Sequence, residues 1–86
     1  MAVKVLIKRR LPVDKARDML AIFRKLRALA TQQEGYISGE TLRHHEKPDE
    51  FLVISNWQSI EAWRNWLNNR QRQELQAEID LMLEEQ

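Results

Sequence analysis

Apolar and polar residues alternate from Val3 to Arg10, with Val3, Val5 and Ile7 on one side, the two-residue period of a half-buried strand. Pro12 ends that strand, because proline has no N–H to give to a ladder. From Asp14 to about Gln33 the period lengthens. Ala16, Met19, Leu20, Phe23, Leu26 and Ala30 fall on one face of a helix, while Lys15, Asp18, Arg24, Lys25 and Gln32 fall on the other. Asp14 is placed to cap its start. Gly35, free to take a positive φ, stops it.

A second strand is expected from Tyr36 to about His45, with Tyr36, Ser38, Glu40, Leu42 and His44 alternating against Ile37, Gly39, Thr41, Arg43 and His45. Lys47-Pro48-Asp49-Glu50 reads as a turn. Phe51 to Trp57 is apolar on both faces, which places it at the centre of the sheet, in an antiparallel hairpin with the second strand. Ser59 is suited to cap a short helix striped by Ile60, Trp63, Trp66 and Leu67, with Glu61 in its first turn. Asn68-Asn69 breaks the chain, and Leu75, Ile79, Met82 and Leu83 stripe a last helix.

The predicted order is β-α-β-β-α-α, a single α+β domain over residues 1–86 with an antiparallel sheet and its helices on one face. A chain this short buries only about 60% of the surface its unfolded form exposes, so its core is thin. The uncovered sheet face keeps Leu6, Leu42 and one of Val53 and Ile54, and no spare element is left to cover it. A second copy is the simplest cover, which makes a homodimer the expectation.

Charge narrows the function classes. Lysine plus arginine is 14 and aspartate plus glutamate is 13, a balance of +1 that gives no sign of nucleic-acid or membrane binding. Cysteine is absent, which removes disulfides, thiolate ligands and a thiol nucleophile. No apolar run is long enough for a signal peptide or a membrane span, so the expected location is cytoplasmic.

The stretch Gly35-Tyr36-Ile37-Ser38-Gly39-Glu40-Thr41-Leu42, then Lys47-Pro48-Asp49-Glu50-Phe51 through Trp57-Gln58-Ser59, with Ala62-Trp63 following, resembles the antibiotic biosynthesis monooxygenase domain family. The likeness runs from about Val3 to Leu83. It implies a ferredoxin-like fold that pairs into a dimeric α/β barrel, with a pocket between helices and sheet. It also implies a fourth strand after the last helix. Here Glu84-Glu85-Gln86 stands where that strand should begin, so the chain is expected to lack it. A haem-degrading branch of the family uses an asparagine, a tryptophan and a histidine ligand. The tryptophan falls on Trp66, but the asparagine falls near Arg9 and the histidine on Gln76, so no axial ligand is evident.

Trp66 has two readings: core packing, or a pocket wall that stacks an aromatic substrate. It lies about 60° around the helix from Trp63, on the flank of the face set by Ile60, Trp63 and Leu67, which suits a wall. Trp63 is a second candidate wall, and Trp57 is structural because it ends the central strand. Lys8-Arg9-Arg10 is either a solvated strand end or the source of a fixed guanidinium, Arg9, for an anionic intermediate. One of Ser55 and Asn56 must face the helices, which makes Asn56 a candidate for substrate binding. His44 and His45 point to opposite faces and cannot share a metal, so no metal site is expected. His44 is a candidate substrate contact or base, although the nearby hairpin favours exposure. Arg70-Gln71-Arg72-Gln73 reads as surface.

Three functions follow. The first is a small monooxygenase that needs no cofactor and acts on an aromatic or quinol-type molecule. Its substrate passes an electron directly to molecular oxygen, and Trp66 and Arg9 serve the reaction while Trp63, Asn56 and His44 hold the substrate. The alternative is a non-catalytic dimeric binding module for a small aromatic or lipophilic ligand. The third, haem degradation, is disfavoured by Gln76.

Overall fold

The computed structural model describes residues 1–84. Three strands, β1 (Val3–Arg10), β2 (Tyr36–Arg43) and β3 (Glu50–Trp57), form an antiparallel sheet in the order β1-β3-β2. α1 (Ala16–Thr31) joins β1 to β2, and α2 (Ile60–Leu67) and α3 (Arg70–Glu84) follow β3. Glu84 is helical, and the remainder of the place where a fourth strand was expected, Glu85-Gln86, lies outside the described residues. This is an α+β, ferredoxin-like arrangement with β3 at its centre, as its apolar faces predicted.

The inner face of the sheet carries Val3, Val5, Ile7 and Arg9 of β1, opposite Trp57, Ser55, Val53 and Phe51 of β3. Leu11, Met19, Ile22, Leu26, Trp57, Trp66 and Ile79 form the buried core. Ile22 completes the inner stripe of α1 between Met19 and Leu26, a position the helical pattern had left out. Asp14 does not cap α1. It sits in a 3-10 turn, Val13–Lys15, that precedes the helix, and no side chain caps either start. Lys15 instead ties this corner to the far end of α3, its Nζ donating to the Met82 carbonyl.

Two local features position the site. Gly35 has φ +86°, and a Cβ there would lie 2.5 Å from the Ala62 Cβ. The chain can therefore turn tightly into β2 against α2 only with glycine at this point. Just beyond it, Tyr36 pairs with Trp57 and Ser38 with Asn56, so Ile37 is the extra residue of a β-bulge. The bulge shifts the alternation by one. Tyr36 joins Gly39 and Thr41 on the inner face, whereas uninterrupted alternation had set it beside Glu40 and Leu42.

The helix-side assignments of α2 also change. Trp66 is at the buried centre, 6% exposed, while Ile60 and Leu67 are each 38% exposed. Ala62, Trp63 and Trp66 therefore form the inward face, because α2 leans its one-turn tryptophan pair onto Trp57. The Ser59 hydroxyl accepts from the Ala62 amide at 3.1 Å, the cap expected of it. Asn69 plays the same part for α3, accepting from the Arg72 amide at 3.0 Å.

Candidate active site

A cavity of about 100 Å³ lies between α1, the inner sheet face and the α2–α3 corner, open on one side. Phe23, Leu26, Tyr36, Val53, Trp57, Trp63 and Trp66 supply its apolar walls. The rings interlock. Tyr36 meets Trp57 edge-on with centroids 5.3 Å apart, Trp63 tilts against Trp57 at 5.9 Å, and Trp66 stacks on Trp57 at 6.4 Å. Gly39 makes room for this arrangement, since a Cβ there would stand 2.8 Å from the Tyr36 hydroxyl.

The polar groups at the cavity are mostly donors. Trp57 uses its indole N–H on the Ser55 hydroxyl at 3.0 Å. The indole N–H groups of Trp63 and Trp66 and the Tyr36 hydroxyl have no hydrogen-bond partner among the described residues. None of them is an orphaned buried atom, so each keeps some accessible surface. Arg27, on the open side, is held by the Gly39 carbonyl at 3.2 Å.

Two arginines complete the lining. Arg9 lies 4.9 Å over the Phe23 ring and donates from Nη2 to Gln76 Oε1 at 3.2 Å. Gln76 in turn donates to Asp80 at 3.1 Å, which fixes the orientation of its amide. Arg72 is 5.9 Å from the rings of both Trp63 and Trp66. The Arg9 pKa is lowered, first by burial and then by repulsion from Arg72, with Asp80 opposing. The Arg72 pKa is lowered by burial alone.

Of the residues the sequence singled out, Trp63, Trp66 and Arg9 meet at this cavity. Asn56 does not. It is on the outer face, where its amide donates to the Ser38 hydroxyl at 3.1 Å, and Ser55 takes the inward position instead. His44 is at the hairpin, where its Nδ1 accepts from the amides of Glu46 and Lys47, both at 3.0 Å. His44 thus shapes the turn between β2 and β3 and is not among the residues that line the cavity. Tyr36 and Arg72 were missed. The bulge hides Tyr36 from alternation. Arg72 carries a signal that could have been used: it precedes Ile79 by seven residues and so shares the buried stripe of α3. Among the described residues, no group of three or more His, Cys, Asp or Glu is placed to hold a metal ion. Nor, among those residues, is any helix long and apolar enough to cross a membrane.

The antibiotic biosynthesis monooxygenase family matches residues 2–78 of the chain, and the chain belongs to that family. Solved structures agree on the fold. A conserved protein from Methanosarcina mazei Go1 superimposes with a TM-score of 0.87 at 15% identity, over 93% of this chain and 79% of that one. SnoaB, a cofactor-independent oxygenase from Streptomyces nogalater, seen as a mutant, gives 0.84 at 16%, over 93% and 81%. A further antibiotic biosynthesis monooxygenase gives 0.83 at 17%, over 94% and 84%. No curated protein matches the sequence.

Proposed function

We propose that the protein is a cofactor-independent monooxygenase acting on an electron-rich aromatic small molecule, and that two copies pair through the outer sheet face. The observation that carries this reading is the ring-walled cavity lined by Trp63, Trp66 and Tyr36, whose donors no described residue accepts, beside Arg9. Family membership and the fold shared with SnoaB support it.

In this reaction the substrate loses a proton from an activated ring position. The resulting carbanion gives one electron to oxygen, and the radical pair combines to form a C–O bond. The peroxide that results breaks its O–O bond with loss of water, leaving one oxygen atom on the ring as a carbonyl. The sum is a CH₂ group plus O₂ giving a C=O group plus water. The chain contributes three things. Aromatic walls stack the delocalised ring, donors hold the charge that develops on its oxygens, and the apolar lining keeps bulk water from the carbanion.

The test is oxygen uptake with a panel of quinols and anthrone-type phenols. The expected result is saturable consumption by the wild type, one oxygen per substrate oxidised. Saturable binding of the same compounds without uptake would overturn the reaction and leave a binding module.

A further inference from the structure

Arg9 and Arg72 both border the aromatic cavity, and neither is ion-paired to a carboxylate among the described residues. The side chain of Arg72 makes no hydrogen bond with any described residue, and its contacts are the faces of Trp63 and Trp66. Arg9 is tethered by a neutral amide, Gln76. The nearest compensating charge, Asp80, is exposed and bonded to that amide. Arg27 adds a third cation at the mouth. Glu40 borders the cavity too, but it belongs to the outward row of β2, with Ser38 and Leu42. The cavity therefore brings together two half-buried guanidinium groups, and the charge of Arg72 acts on Arg9.

We propose that the ligand of this cavity is an aromatic acid, with its ring against Trp63 and Trp66 and its carboxylate between Arg9 and Arg72. This rests on the reading of the cavity as the substrate site, and adds a permanently charged handle to the substrate. Two arginines keep their charge near neutral pH, so their side of the cavity favours an anionic group over a neutral one. A phenol titrates near pH ~10 and enters neutral, whereas a carboxylic acid at about pH 4 is already ionised. The two oxygens of a carboxylate also match the donor fork of a guanidinium. The cavity, about 100 Å³ and open on one side, suits a single ring with its substituents reaching outward.

Benzoate, its neutral isostere benzamide, and phenol are the probes. Each is titrated at pH 7 into ¹⁵N-labelled protein while the indole N–H resonances of Trp63 and Trp66 are followed. Benzoate should bind about tenfold more tightly than benzamide or phenol, the worth of a charge-assisted pair. In Arg72→Gln that preference should shrink to about twofold, and Arg72→Lys, which keeps the charge, should retain part of it. Arg9→Gln should act in the same direction as Arg72→Gln. Equal affinities in the wild type, phenol binding as tightly as benzoate, no shift with benzoate, or a preference that survives both glutamine variants would each overturn the proposal. The readout is independent of turnover. A benzoate preference without oxygen uptake by any substrate would sink the oxygenase reading and leave this one standing.

Discussion

Trp66 serves packing and site together. It is 6% exposed and stacked on Trp57, yet it lines the cavity with an indole N–H that no described residue accepts. The two roles separate by substitution. Trp66→Ala removes a large buried ring and should cost about 3–5 kcal/mol in urea unfolding. Trp66→Phe keeps a stacking ring but deletes the N–H donor. It should leave the unfolding transition cooperative while raising KM or weakening ligand binding several-fold. Unchanged ligand affinity in a well-folded phenylalanine variant would confine Trp66 to the core. Arg9 shows a different economy: the Gln76–Asp80 chain holds it in place without neutralising it. The amide at position 76 thus positions a cation, where the resemblance to haem-degrading relatives had raised the question of a metal ligand.

At the scale of elements, the corner between α1 and β2 governs the cavity. Gly35 turns the chain against Ala62 of α2, and the bulge at Ile37 then throws the Tyr36 ring inward over Gly39. Gly35→Ala meets two obstacles. A left-handed backbone costs an alanine about 1–3 kcal/mol, and the overlap with the Ala62 Cβ forces β2 and α2 apart. A loss of more than about 2 kcal/mol is expected. It should be accompanied by weaker near-ultraviolet dichroism from the Tyr36–Trp57 cluster. An alanine variant as stable as wild type, with that signal intact, would show that the turn has another conformation within reach. Ser59 and Asn69 act on the same scale, each capping a helix that carries a cavity residue, Trp66 in one case and Arg72 in the other.

At the scale of the whole molecule, the outer sheet face exposes large apolar side chains among its charged ones. Leu6 is 58% and Leu42 44% exposed on the outer side of the sheet, and Ile54 and Leu52 share that side. Three helices cover the other face, so the sheet is half of a layered structure. In the proposed dimer a second copy would bury this patch, and Leu42→Lys sets a charge into its middle. The expected result is a wild-type dimer and a largely monomeric lysine variant in sedimentation velocity at micromolar concentration. A wild type that sediments as a monomer would remove the dimer from the proposed function.

Local patterning determined most of the architecture. α1 ends at Thr31, ahead of the glycine expected to stop it, but the alternation of Val3, Val5 and Ile7, the two-sided apolar run of β3 and the cap at Ser59 are each decided by neighbours within a few residues. So the strand order and helix count were legible in the chain itself. Trp63, Trp66 and Arg9 were legible as candidates for the same reason. Tertiary structure decided the rest. Whether Ser55 or Asn56 faces the helices depends on register with β1, and a one-residue slip exchanges them. Tyr36 enters the cavity only through a bulge, whose extra residue is defined by the partner strand. Arg72 meets Arg9 across 63 positions of sequence because α3 folds back over the end of β1, where the Arg9–Gln76 bond is made. Side-chain period depends on the chain's own geometry, but the meeting of two cations in one cavity depends on how separate elements pack, and no local pattern encodes that.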